Sequence, residues 1–129
     1  MTEPKLQALV VDDSPAMRRH ICFALARIDG IGFSEAQDGV DGLKQALALR
    51  YDLVVTDINM PLMDGLKLIS ALRQRPEYAA TPIVVITTES ADADRQRAMS
   101  LGANAYLVKP VQAPDVIATV RSLLGLGEP

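Results

Sequence analysis

The sequence predicts an α/β domain, a doubly wound sheet of five parallel strands with helices on both faces, and three observations carry that expectation. Five short β-prone runs recur: Leu6 to Val11, Gly32 to Ala36, Leu53 to Thr56, Ile83 to Thr87 and Ala105 to Val108. Four of them are almost continuously apolar, as strands covered on both faces must be, whereas half-exposed antiparallel strands alternate with polar residues. A helical segment follows each run, giving (βα)5. Right-handed crossovers then leave an open sheet, because five units are too few to close an eight-stranded barrel.

The elements follow in order. After the first run, Ser14-Pro15 places a capping hydroxyl before a proline at the first helical position, and Met17, Ile21, Ala24, Leu25 and Ile28 form one apolar face. On this helix Cys22 is expected to be a small core residue with an inert thiol, and His20 to stand in solvent. Phe23 falls away from Met17 and Ile21 and either packs against a neighbouring helix or marks a contact surface, the first being favoured. The second run, GFSEA, is more polar than the others and is expected nearer a sheet edge. Asp38 caps a second helix whose apolar face is Val40, Leu43 and Leu47, and Asp64 caps a third with Leu66, Ile69 and Leu72. Ser90 opens the fourth, where Asp92 and Asp94 favour the positive end of the helix dipole and Gly102 closes the last turn. Pro114-Asp115 starts the fifth, faced by Val116, Ile117, Val120 and Leu123. The tail from Gly125 to Pro129 reads as a domain exit.

Composition narrows the function. At 129 residues, 49% hydrophobic and 22% charged, the chain fits one globular domain with its own core rather than a disordered or fibrous protein. A net charge of −3 supplies no basic field for a phosphate backbone, so no nucleic-acid binding is expected of this chain. The lone Cys22 has no internal disulfide partner and MTEPKLQ lacks the layout of a signal peptide, so a cytoplasmic protein is expected. No apolar run approaches the ~20 residues that span a bilayer. No membrane association is expected.

In an open parallel sheet the ligand crevice lies beyond the carboxyl ends of the strands. Asp12 and Asp13 end the first run, Asp57 the third, Thr87 the fourth and Lys109 the fifth, so separate strands deliver them to one edge. Three carboxylates brought together repel, and a cation is implied. Mg²⁺ suits them, taking hard oxygen ligands while keeping several waters, with Asp13 and Asp57 each giving a carboxylate oxygen. Lys109 adds a fixed positive charge and Thr87 a hydroxyl, a combination that suits a phosphoryl group. An Asp57 oxygen attacking phosphorus in line would give an acyl phosphate. Thr88 is a rival hydroxyl; the spacing favours Thr87.

The acidic pair in VVDDS, the aspartate in VVTDINMPLMDG, the hydroxyl in VITTE and the lysine in YLVKP, in that order at strand ends, resemble the response-regulator receiver family. The likeness covers Leu6 to Leu124 and is greatest to the family's single-domain chemotaxis members. It implies one receiver domain over 1–129, with a core at about 6–124, and a flavodoxin-like sheet in the order 2-1-3-4-5. It also implies phosphorylation of Asp57 by a partner histidine kinase or phosphotransfer protein, with Mg²⁺ held by Asp12, Asp13, Asp57 and the Asn59 backbone carbonyl. By the same resemblance Lys109 contacts the phosphoryl group and Pro110 is a cis proline. Thr87 and Tyr106 form a switch pair, and Asn59 and Glu89 tune dephosphorylation. An output protein is expected at the face around the fourth helix, fifth strand and fifth helix. Ile58, where the chemotaxis members carry tryptophan, and the acidic SADADR after Glu89, where they carry lysines, argue against a flagellar motor switch as that partner.

Rival readings make their own demands. An aspartate-nucleophile phosphatase of the haloacid dehalogenase type needs D-x-D on one strand, but Asp12 and Asp13 are adjacent and Asp57-Ile58-Asn59 has no second acid. A phosphate-independent interaction module normally breaks the acidic pair or loses the lysine, and both are present. A flavin or dinucleotide site needs a Gly-rich loop after the first strand, which DDSPAM does not supply. Within the receiver reading, a free-standing regulator starting at Met1 competes with a domain excised from a longer, multidomain regulator. The expected role is that of a phosphoacceptor switch, not an enzyme acting on outside substrates, although it catalyses its own phosphotransfer and slow autodephosphorylation.

Overall fold

A computed structural model describes residues 5–127. The expectations placed on Met1 and on Glu128-Pro129 lie outside the described residues. The chain alternates β1 (Leu6–Val11), α1 (Pro15–Leu25), β2 (Ile31–Ala36), α2 (Gly39–Ala48), β3 (Leu53–Thr56), α3 (Gly65–Arg73), β4 (Ile83–Thr87), α4 (Asp92–Leu101), β5 (Ala105–Val108) and α5 (Ala113–Leu123), with a short 3₁₀ turn at Pro76–Tyr78. The five strands form one parallel sheet in the order β2-β1-β3-β4-β5. This is the expected doubly wound architecture. GFSEA lies on the edge strand β2, which begins one residue earlier than expected, at Ile31.

Alternation along the strands builds two cores, because successive side chains point to opposite faces. Ala8, Val10, Val55 and Ile86 face α1 and α5, packing with Ile21, Leu25, Val116 and Val120. Leu9, Val11, Val54 and Val85 face the other way, packing with Leu68, Ile69 and Leu72 of α3 and Ala98 of α4. The central strands β3 and β4 are buried throughout, which is why their sequences are continuously apolar.

Three helix details differ from the sequence-based expectation. In α2 the fully buried residues are Gly39, Gly42 and Ala46, while Val40 and Leu47 stay 46% and 47% exposed. The two glycines bring the helix so close that a Cβ at Gly42 would press on Val11 and one at Gly39 would strike the Met63 carbonyl. Larger side chains have no room on that face. The N-cap of α4 is Ala91 with no side-chain bond, so Ser90 does not cap it. Phe23 is 70% exposed, projecting from α1 into solvent rather than packing on a neighbouring helix. Cys22 is buried as expected. His20 is exposed, and its ring Nε2 is hydrogen-bonded to the Val111 carbonyl at 2.8 Å.

Arg73 joins elements distant in sequence. Its guanidinium donates to the carbonyls of Tyr78, Thr81 and Gly102 and to the Asn104 side chain, tying the end of α3 to the starts of β4 and β5. Burial pulls its pKa below the ordinary arginine value.

Candidate phosphoacceptor site

The site grows out of the parallel ladder. Beyond the last strand residues, Asp12 N–H donates to the Ala36 carbonyl, Asp57 N–H to Val11 and Lys109 N–H to Thr87. Each ladder thus continues one residue past its strand, carrying Asp12, Asp57 and Lys109 to the same edge in register. Asp57 and Asp12 are buried, Asp13 is exposed, and Lys109 is half-buried.

Lys109 Nζ lies 2.8 Å from Asp57 Oδ2 and 3.0 Å from Asp12 Oδ2. The other oxygens are held by backbone: Ile58 N–H donates to Asp57 Oδ1 at 2.6 Å, and Ser14 N–H to Asp12 Oδ1 at 2.9 Å. Burial pushes the Lys109 pKa down, but its hydrogen bonds to Asp57 and Asp12 and the negative charges of both together outweigh that, so the net shift is upward and the side chain stays a cation. Burial is also the largest influence on Asp12. It raises the carboxyl above its ordinary value despite the bonds from Ser14 and Lys109.

Asp12, Asp13 and Asp57 can each offer a carboxylate oxygen, all within 4.8 Å of one another. Three carboxylates against one ammonium leave two formal negative charges unmatched, the charge of one divalent cation. Hard oxygen donors in so small a volume, one of them facing solvent, fit Mg²⁺. The donor set therefore agrees with the metal expected from sequence.

Thr87, Glu89, Asn59 and Tyr106 form a second group linked through Glu89. Its N–H donates to Thr87 Oγ1 at 3.3 Å, its carbonyl accepts from the Tyr106 hydroxyl at 2.7 Å, and its carboxylate accepts from the Asn59 side-chain amide. Thr87 is fully buried whereas Thr88 is exposed, which separates the two hydroxyls. Tyr106 is also buried, with the Arg95 guanidinium 6.0 Å from its ring centre. Burial, then the nearby Asp94 and Glu89, raises its pKa, so it remains a phenol able to donate. The Lys109-Pro110 peptide is cis.

Sequence reasoning missed two contributors. Arg18 donates to the Asp12 carbonyl at 2.6 Å and pairs with Glu35, bracing the acidic loop from α1. Gly65 starts α3 against the Asp57-Ile58 backbone, where its N–H donates to the Ile58 carbonyl and a Cβ would collide with the Asp57 carbonyl oxygen. The Asp-Gly pair is visible in sequence as a helix start, but nothing there shows which backbone the glycine meets.

Comparison with known proteins agrees with this geometry. The model of the response regulator receiver domain matches residues 8–121. A gliding motility regulatory protein of Myxococcus xanthus is 36% identical over 88% of this chain, and the response regulator ArlR of Staphylococcus aureus is 32% identical over 92%. The chain spans only 14% and 52% of those two relatives. Among solved structures, the Vibrio cholerae chemotaxis protein CheY4 superposes with a TM-score of 0.85 at 32% identity, covering 95% of this chain and 99% of that one. The receiver domain of a histidine kinase from Syntrophus aciditrophicus gives 0.84 at 27% identity, over 95% and 92% of the two chains. With the family model spanning nearly all of the described strands and helices, and with acids, hydroxyl and lysine meeting at one sheet edge, this chain belongs to the response regulator receiver domain family.

Proposed function

We propose that Asp57 is the phosphoacceptor of this two-component receiver and that Asp12, Asp13, Asp57 and the Asn59 backbone carbonyl hold Mg²⁺. The observation that carries the reading is the placement of the Asp57 carboxylate. It is buried, fixed through Oδ1 by the Ile58 N–H, and paired through Oδ2 with Lys109. A bound Mg²⁺ supplies charge neutralisation for the phosphoryl oxygens. Lys109 holds a second positive charge beside the acceptor. One Asp57 oxygen forms the new bond to phosphorus as the bond to the donor's phosphohistidine nitrogen, or to another leaving group, breaks.

The output follows from the second group. Thr87 Oγ1 accepts from the Glu89 N–H, so a hydroxyl drawn toward phosphoryl oxygens disturbs the Glu89 backbone, to which the Tyr106 hydroxyl is bonded. Phosphorylation then shifts the population of the face formed by α4, β5 and α5, the proposed docking surface for an output protein. The hydrogen-bonded Asn59 and Glu89 side chains stand as the proposed tuning pair for hydrolysis. This is a signalling switch rather than a turnover enzyme. Among the described residues no helix is long and apolar enough to cross a membrane, and we place the protein in the cytoplasm, as is typical of the family.

Acetyl phosphate with Mg²⁺ tests the assignment. Intact-mass and peptide analysis should find one phosphoryl group, on Asp57, and Asp57→Asn should remove it. Wild-type label on another residue refutes the acceptor assignment, and steady release of phosphate from small esters would instead favour the phosphatase reading.

A further inference from the structure

Asp13 is the least anchored member of the acidic cluster. It is exposed, and among the described residues no hydrogen bond or ion pair holds its carboxylate, yet one of its oxygens lies within 4.8 Å of those of Asp12 and Asp57. Asp12, one position earlier, is tied at every polar atom. Its N–H donates to the Ala36 carbonyl at 3.1 Å, its Oδ1 accepts from the Ser14 N–H at 2.9 Å and its Oδ2 from Lys109 at 3.0 Å. Its carbonyl accepts from Arg18 Nη1 at 2.6 Å, and this bond bears on Asp13. The Asp12 carbonyl and the Asp13 N–H belong to one planar peptide unit, so a carbonyl held in one direction fixes the plane from which the Asp13 side chain departs.

Arg18 is built to hold that direction. Its side chain is only 16% exposed, too buried to swing as a solvated surface arginine does. While Nη1 meets the carbonyl, Nε donates to Glu35 Oε1 at 3.0 Å, so two nitrogens of the planar guanidinium are engaged and its orientation is set. Glu35 lies on the edge strand β2, and its own carbonyl accepts from Gln45 of α2 at 2.8 Å. The brace therefore rests on α1, β2 and α2, three elements that supply no side chain to the acidic cluster. Charge alone would make Arg18 an obstacle, because a fixed positive charge near three carboxylates opposes the arrival of a divalent cation. Geometry and charge thus give opposite signs for its removal.

We propose that Arg18 is a positioning residue for the metal site: it holds the Asp12-Asp13 peptide so that the Asp13 carboxylate is aimed toward Asp12 and Asp57 before the cation arrives. This rests on the reading of these carboxylates as the Mg²⁺ ligands. Removing the Arg18 charge should therefore weaken Mg²⁺ binding, where electrostatics by itself would strengthen it.

The test is the Mg²⁺ affinity of the full chain, read from backbone amide shifts during a Mg²⁺ titration, with Asp13→Asn as the reference for a lost ligand. Arg18→Met keeps the apolar stem but neither donates nor carries charge, and it should weaken Mg²⁺ binding about tenfold, the low end for groups that orient metal ligands. Arg18→Gln, neutral and too short to span the same distance, should also weaken it and carries the same prediction if the methionine variant folds poorly. Arg18→Lys, whose ammonium can donate to the carbonyl, should recover most of the affinity. Because Arg18 acts through Asp13, adding Arg18→Met to Asp13→Asn should cost little further, a non-additivity that a general loss of stability does not produce. Binding as tight as wild type or tighter in the two neutral variants, no recovery with lysine, or additive losses in the double variant would each overturn the positioning role while Asp13→Asn still binds poorly. If wild type binds no Mg²⁺, or Asp13→Asn binds it as well as wild type, the metal reading itself fails and this proposal with it.

Discussion

The Lys109 ammonium stands 2.8 Å from an Asp57 carboxylate oxygen, a contact between residues 52 positions apart in the chain. It also lies 3.0 Å from Asp12, so one lysine neutralises part of the cluster that would hold the metal. The lysine and a metal bound at the proposed site would therefore share the same negative charge.

Lys109→Ala should expose that sharing. Removing one partner from a largely buried pair costs about 3–5 kcal/mol, and Mg²⁺ can supply the missing charge. Thermal denaturation should show a lower Tm for the variant without Mg²⁺ and a larger Mg²⁺-induced rise than in wild type. Equal rises would mean that lysine and metal do not share these carboxylates.

Thr87→Ala should separate phosphorylation from its consequence. Thr87 is buried and its hydroxyl accepts from the Glu89 N–H, one residue pair away from the Tyr106 hydroxyl. The variant should take label on Asp57 but lose most of the coupling to an output partner, a term typically ~1–3 kcal/mol. Partner affinity measured with and without beryllofluoride decides it, and an equal gain in variant and wild type would route the signal elsewhere.

Gly65→Ala should be costly although it adds a single methyl group. The new Cβ meets the Asp57 carbonyl oxygen and comes within 3.0 Å of the Ile58 Cα, both backbone atoms that cannot rotate away. Overpacking of this kind costs about 1–3 kcal/mol, and the shifted segment carries Asp57, the proposed phosphoacceptor. Denaturant unfolding should report the loss, with slower acetyl phosphate labelling beside it. Unchanged stability would show that α3 can retreat freely.

Cys22 should be inert in the folded protein. It lies on the buried face of α1, and burial, then the charge of Glu35, pushes its thiol up to about 11 from 9.0. At pH 8 its thiolate fraction is therefore roughly 100-fold below that of an ordinary thiol, and only the thiolate is the nucleophile. A disulfide reagent should modify it far faster in denaturant than in buffer. Comparable rates would place the thiol at the surface.

Much of this protein is written locally. Continuous apolar runs such as LVVT and IVVIT announce strands covered on both faces, and a parallel sheet must then bring their ends to one edge, so the sequence pattern alone places Asp12, Asp57, Thr87 and Lys109 together. Side-chain caps are legible too, because Ser14, Asp38 and Asp64 each accept from the amide three residues on, a relationship contained within one turn. Tertiary structure decided the rest. Helical periodicity marks Val40, Leu43 and Leu47 as the apolar flank of α2, yet the glycines beside them allow the backbone to approach Val11 and Met63, and close approach wins over side-chain size. Whether Phe23 meets another helix, which backbone Gly65 touches, and how Arg73 gathers the carbonyls of Tyr78, Thr81 and Gly102 all depend on how separate elements pack together. A local pattern fixes which face of an element is apolar; only the packed neighbours determine which face has room to be buried.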